Sequence, residues 1–223
     1  MSKKIFITGD THGDLNLVRF KEAKKLNPDY LIVTGDFGYI WDGSEEEVKA
    51  LNELKQMPYT ILWVDGNHEN FDMLNQYYHD VSWNGGTVQK ISNNILRLKR
   101  GEVYDIDGKK FFTFGGAKSV DRAYRTLGLS YWLEECPTNE EKEYGLNNLE
   151  KVGNKVDYII THTCAKDTLS EIVPYPEEDS LSRYFQIIKD TIEFKKWYFG
   201  HLHFDINVNS KEYCLYRNIK ELK

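Results

Sequence analysis

Short, nearly continuous apolar runs alternate along this chain with longer stretches whose apolar positions recur every three or four residues. Lys4 to Thr8, Tyr30 to Thr34 and Thr60 to Val64 are rich in β-branched and aromatic residues and read as buried strands. Between them, Asp14 to Leu26 and Ser44 to Met57 have helical character, with Asp14 placed to cap the first helix and Leu15, Val18, Ala23 and Leu26 on one face. This βαβαβ order predicts three parallel strands joined by right-handed crossovers.

The pattern then changes. Thr87 to Ser92, Ile95 to Leu98, Glu102 to Ile106 and Lys109 to Phe114 are short, closely spaced strands. Asp107-Gly108, between the last two, is a two-residue hairpin signal, because both positions of a type I′ turn require positive φ. A second, antiparallel-rich sheet is expected to begin here. Pro137 and a capping box, Thr138 with Glu141, open a helix running to Val152, and another helix covers Leu181 to Thr191. Strands return at Tyr158 to Thr161, Lys196 to Phe199, Asp205 to Val208 and Tyr213 to Tyr216. No internal repeat or linker interrupts the pattern, so one domain over residues 1–223 is expected, of the α/β class.

Charge narrows the choice of partners. The formal net charge is −6 and the lysines are dispersed, so an extended nucleic-acid track is not expected. A small phosphorylated substrate remains compatible, because bound cations would add positive charge that the count omits. No apolar run approaches a membrane span, and no membrane contact is expected. Cys136, Cys164 and Cys214 are odd in number and free of any CxxC pattern, which argues against a disulfide framework or a zinc-thiolate site. With no apolar leader behind Lys3 and Lys4, a reducing cytoplasm is the expected compartment.

The candidate chemistry sits where apolar runs end. Five of the six histidines fall in Gly9-Asp10-Thr11-His12-Gly13, Gly66-Asn67-His68-Glu69, Thr161-His162 and Gly200-His201-Leu202-His203, and a further block is Gly35-Asp36. Glycine with polar residues after a strand reads as a loop, so the fold should bring these groups to one sheet edge. Carboxylate, amide and imidazole donors gathered there suit a pair of divalent metal ions. His79 lies outside every block and reads as a surface residue.

Taken in order, these five blocks resemble the signature of the calcineurin-like metallophosphoesterase family, GDxHG, GD, GNH[ED], a His after a strand, and GHxH. The resemblance implies a four-layer αββα sandwich of two mixed β-sheets flanked by helices. It also implies two divalent transition-metal ions, manganese being the leading expectation, although iron, zinc, nickel and cobalt also accept histidine and carboxylate ligands. Asp10, His12, Asp36 and His203 would hold one ion, and Asp36, Asn67, His162 and His201 the other, with Asp36 bridging. A hydroxide generated at the metals would attack phosphorus, Asn67 would also contact the phosphate, and His68 would protonate the leaving oxygen.

One departure from the family narrows the substrate. Phosphoprotein phosphatases continue their second block as GDxVDRG, gaining an Asp that orients the general acid and an Arg that grips phosphate. Here Tyr39 and Ile40 stand at those two places, so a phosphoprotein is the less favoured substrate class, and Asp10 and Asp42 are the candidates for orienting His68. A replacement cation is sought in the loop Gly115 to Arg125, where Arg122 and Arg125 are candidate phosphate ligands set against a plain solvated loop. Phe37, Tyr39, Trp41, Tyr131 and Trp132 could rim the site and stack a nucleobase, but at 14% aromatic content a role in the core is favoured. The reading is a hydrolase of small phosphomonoesters or phosphodiesters, nucleotides included. The alternative is a catalytically weak metal-binding scaffold for a partner protein, which would have no need of His68 beside an open metal position.

Overall fold

Strand β1 (Ile5–Thr8), helix α1 (Val18–Leu26), β2 (Tyr30–Val33), α2 (Glu45–Leu54) and β3 (Thr60–Val64) open the chain. They belong to a computed structural model that describes residues 2–177 and 179–223. The three strands pair in parallel, as their order predicts. Helix α3 (Phe71–Tyr77) leads into β4 (His79–Trp83), β5 (Gly86–Lys90) and β6 (Ile95–Leu98), and β6 lies parallel to β3 in the same sheet. The next strands are β7 (Glu102–Ile106), β8 (Lys109–Phe114), β9 (Lys155–Thr161), β10 (Glu193–Phe199), β11 (Ile206–Asn207) and β12 (Glu212–Cys214), and they form a second sheet. Helix α4 (Asn139–Lys151) precedes β9, while α5 (Lys166–Ile172) and α6 (Ser180–Thr191) separate β9 from β10. A last strand, β13 (Ile219–Glu221), pairs antiparallel with β1.

Side-chain alternation along these strands produces three cores and hence four layers. Ile5, Ile7, Ile32, Leu62 and Val64 of the first sheet meet Phe111, Tyr158, Ile160 and Tyr198 of the second. Their neighbours in sequence face outward. Phe6, Leu31, Val33, Ile61 and Trp63 pack under α1, α2 and α3, and Phe112, Phe114, Ile159, Trp197 and Phe199 pack under α4 and α6. The result is an α/β sandwich of two mixed sheets between helices.

Two expectations need correction. The second sheet begins at β7 and not at Thr87, and three of its five pairings, β8–β9, β9–β10 and β10–β12, are parallel. The cause is α3, too short to stand out in the sequence, which carries the chain across so that β6 can add to β3. Helix α1 also starts at Val18, not Asp14. The Asp14 carboxylate accepts from the Asn16 and Val18 amides, and Leu17 is left-handed at φ 54°, so the turn resets the helical phase. Leu17, Phe20 and Ala23 are buried, whereas Leu15, Val18 and Leu26 are exposed. The Asp107-Gly108 turn has both φ positive, at 56° and 73°, and the Thr138–Glu141 capping box is formed.

Asp65 closes β3 and locks the layers beneath the Asn67 loop. It is fully buried, 3.3 Å from Arg97 Nε and 2.6 Å from Arg100 Nη2. Arg100 continues to Glu141 of α4, and both guanidinium groups lie over the Phe71 ring. Burial alone would raise the Asp65 pKa, but Arg100 and Arg97 reverse this and hold it below the ordinary carboxylate value. Asp65→Ala would leave two buried cations short of a partner, so it should lower the free energy of unfolding by about 3–5 kcal/mol, measured by urea denaturation. A loss under about 1 kcal/mol would mean that the network is relaxed by solvent.

Candidate metal centre

All five blocks sit at the carboxyl ends of parallel strands: Asp10 and His12 after β1, Asp36 after β2, Asn67 and His68 after β3, His162 after β9, His201 and His203 after β10. The two sheets pack with these ends together, which is where open α/β sheets bind ligands. The loops are strained. His12, Asp36, His201 and His203 have φ of 48°, 43°, 64° and 56°, a left-handed conformation costing a non-glycine residue roughly 1–2 kcal/mol. Neighbouring backbone holds them there: the Thr11 and His12 amides donate to the Asp36 carbonyl at 3.1 and 2.7 Å, and the His201 amide donates to the Asp10 carboxylate. Close approach dictates two glycines. A Cβ at Gly35 would overlap the His162 ring, and one at Gly66 would overlap the Asp36 carboxylate.

Donor atoms of Asp10, His12, Asp36 and His203 all lie within 4.8 Å of one another. This is the set expected for one ion. His203 Nε2 is 3.2 Å from Asp10 Oδ2 and 2.8 Å from His12 Nε2, which in turn is 3.7 Å from Asp36 Oδ2. The residues expected for the other ion are adjacent. His162 Nδ1 faces the Thr34 carbonyl at 3.0 Å; a carbonyl can only accept, so Nδ1 donates to it and Nε2 is the ring nitrogen turned toward the centre. His162 Nε2 lies 3.1 Å from Asn67 Oδ1 and 3.5 Å from Asp36 Oδ1, and the His201 ring is 4.9 Å from the His162 ring, centroid to centroid. Asp36 Oδ1 also accepts from the His68 amide at 2.8 Å. An imidazole nitrogen, an amide oxygen and a carboxylate oxygen thus converge on one place, a donor set that fits a metal.

Asp10 and Asp36 are buried, and among the described residues their ion-pair partners are histidines alone. Burial opposes the charge on Asp36, but His162, His68 and His12 hold its pKa down. Burial also lowers His12, and it takes His201 to about 4, whereas His203, hydrogen-bonded to Asp10, is raised. His68 lies half-buried at the rim, its ring 5.2 Å from that of His12. Its pKa is lowered, chiefly by burial and then by the Arg125 cation.

The structure separates the two arginine candidates. Arg125 Nη2 is 3.0 Å from His68 Nε2, and its Nε is anchored 2.6 Å from Asp121. Arg122 turns away: it lies over the Tyr131 ring and 3.5 Å from Glu135. Neither candidate for orienting His68 reaches it, because the Asp42 carboxylate takes the Ser44 amide and Asp10 is held by His201 and His203. Phe37, Tyr39 and Trp132 are core residues, and only Trp41 and Tyr131 keep partial exposure. His79 is exposed on β4. Glu69, to which the sequence reading gave no role, is buried and accepts from the Phe37 and Gly66 amides, clamping the β2 and β3 loops together. Ser119 and Glu135 were also missed; no spacing marks them.

The opposed shifts of the histidines give a testable pH dependence. In the metal-free protein His203 is protonated further up the pH scale than its ordinary 6.5, and ligation requires the neutral ring. Affinity for the ion held by His203 should therefore rise with pH through the range just above 6.5 and level off once His203 is neutral. His201, already neutral above about 4, adds nothing to that slope. Manganese titration by calorimetry at pH 6.5, in two buffers of different ionisation enthalpy, should show proton release that His203→Ala removes; release unchanged in the variant would assign the proton elsewhere.

No curated protein matches the chain. Two solved structures share its architecture: one at 12% identity with a TM-score of 0.53, covering 100% of this chain and 99% of its own, and TT1561 of Thermus thermophilus at 10% identity with a TM-score of 0.52, covering 99% and 98%. At such identities they establish the fold alone. Among the described residues no helix is long and apolar enough to cross a membrane. The family model described as calcineurin-like phosphoesterase matches residues 3–205, which takes in every one of the five blocks, and the chain belongs to that family.

Proposed function

We propose that this chain is a two-metal phosphoesterase acting on small phosphomonoesters or phosphodiesters, nucleotides among them, with manganese as its working ion. The observation that carries this reading is the convergence of acceptors around buried Asp36, with His68 and Arg125 at the rim of the same site. When bound, two divalent ions there would acidify a water for attack at phosphorus and offset charge on the phosphoryl oxygens. Asp10, His12, Asp36 and His203 hold one, and Asp36, Asn67, His162 and His201 the other.

The remaining work falls to His68 and Arg125. Arg125 presents a guanidinium beside the place where a phosphate must lie, a fork matched to two of its oxygens. His68 is neutral near pH 7 in the free protein because burial and Arg125 disfavour its charge. A phosphate anion that engages Arg125 and stands against the ring removes that disadvantage, and the ring then holds the proton needed by the leaving oxygen. A cleft of about 310 Å³ runs from His12 and His68 past Leu15 and Trp41, room for a small leaving group. Tyr39 and Ile40, at the places where phosphoprotein phosphatases carry Asp and Arg, are both buried and offer the site nothing. A phosphoprotein is accordingly the disfavoured substrate, and neither a nucleic-acid polymer nor a membrane is an expected partner.

Metal-free protein resupplied with manganese should hydrolyse small esters and release little phosphate from a folded phosphoprotein; the reverse order would overturn the substrate class. In the same assay His68→Ala should keep its metal content and lose about 10²–10⁴-fold on alkyl esters, but far less on a nitrophenyl ester, whose leaving group departs without a proton. Equal losses on both would remove His68 from the proton step.

Arg125→Ala should remove a charge-assisted contact worth about 1.5–3 kcal/mol, seen as a fall of roughly tenfold or more in kcat/KM. Arg122→Ala should raise KM much less, since its guanidinium faces Glu135 and Tyr131. Equal KM increases for the two variants would count against this division.

A further inference from the structure

The geometry points to Ser119 and Glu135 as positioning residues that fix which end of the Asn67 side chain faces the metal centre. The inference rests on Asn67 being a ligand, as proposed above. An asparagine amide is nearly symmetric in shape but not in chemistry: turned one way it offers an oxygen lone pair, turned the other way two N–H bonds that no cation accepts. Asn67 is buried, and its environment must choose between the two.

The choice is made by a chain of hydrogen bonds leading away from the centre. Asn67 Nδ2 donates to Ser119 Oγ at 3.1 Å, and Ser119 Oγ donates to Glu135 Oε2 at 2.7 Å. The Ser119 amide donates to the other oxygen of the same carboxylate, Oε1, at 3.1 Å. A hydroxyl has one proton. Spent on Glu135, it leaves Ser119 Oγ able only to accept from Asn67, and only the NH₂ end of the amide can donate. Oδ1 must then point the other way, toward His162 Nε2 and Asp36. Glu135 is fully buried, and Arg122, 3.5 Å away, supplies the cation opposite its carboxylate. Arg122 thus acts on the site at one remove, through Glu135 and Ser119.

The polarity of the chain makes a distinctive prediction for Glu135→Gln, which changes almost no volume. The Ser119 amide still needs an acceptor and takes the glutamine oxygen, so the glutamine NH₂ faces Ser119 Oγ. The hydroxyl must then accept, and its own proton turns toward Asn67, inviting the amide to flip. Ser119→Ala removes the acceptor altogether.

Cobalt(II) titrated into the metal-free protein, followed by calorimetry and by visible absorption of the ion, reads both binding events. Asn67→Ala should weaken one of them tenfold or more. Ser119→Ala and Glu135→Gln should weaken that same event by about 10–100-fold, the usual effect of losing the partner of a metal ligand. In the Asn67→Asp background a carboxylate presents oxygen whichever way it is turned, so adding Ser119→Ala should cost less than about threefold. Equal losses from Ser119→Ala in both backgrounds would mean a general structural role and overturn the inference. Parental affinities in both Ser119→Ala and Glu135→Gln, with Asn67→Ala still weakened, would overturn it alone. Unchanged binding in Asn67→Ala would remove Asn67 as a ligand, and the inference with it.

Discussion

Two carboxylates, Asp10 and Asp36, are buried at the ends of adjacent parallel strands with histidines as their ion-pair partners. Burying a charge is tolerable only if it is paired or binds a cation, and an imidazole supplies a cation only while it is protonated. Asp65, equally buried at the end of the next strand, shows the other solution, a pair of arginines that stay charged at any physiological pH. The chain uses Arg where the carboxylate serves the fold and His where it is to be shared with a metal. Much else follows from that choice. The left-handed conformations of His12, Asp36, His201 and His203, and the glycines required opposite Asp36 and His162, are what bring the imidazoles against those two carboxylates.

This division explains why the site was so much more legible than the framework around it. Each ligand block follows an apolar run directly, so local pattern alone placed Asp10, Asp36, Asn67, His162 and His201 at strand ends. Placing β4 to β6 in the first sheet depends on β6 pairing with β3, a contact about thirty residues distant that no local period encodes. The phase of α1 was lost for a similar reason: one left-handed residue, Leu17, intervenes between the turn and the helix, and nothing in an apolar leucine announces that conformation. Glu135 and Ser119 lie 16 residues apart on a loop and meet only because the fold closes it. Arg122 and Arg125 are three residues apart, yet a short 3₁₀ turn at Arg122–Tyr124 lies between them, and one faces the core network and the other the site.

Histidine protonation ties the pieces together. His201 is held neutral by burial, while His162 turns Nδ1 to the Thr34 carbonyl and Nε2 to Asn67 and Asp36. His203, more exposed and bonded to Asp10, is the one that keeps its proton. An ion held there, as proposed, would compete with that proton, whereas His201, neutral above about 4, would not oppose one.

The loop from Gly115 to Cys136 joins this site to the core. Its start is pinned by the Gly116 amide on the Asp65 carbonyl, and its far end by the Arg100 bond to the Glu134 carbonyl. Between those anchors it delivers Ser119 to Asn67 and Arg125 to His68. A shift of the loop would consequently move Arg125 and Ser119 together, relative to His68 and Asn67, while the Asp65–Arg100 pair that anchors it is buried in the core. Substitutions in that pair should register at the metal centre as well as in stability, because the same carboxylate that neutralises Arg100 also begins the turn on which Asn67 and His68 are carried.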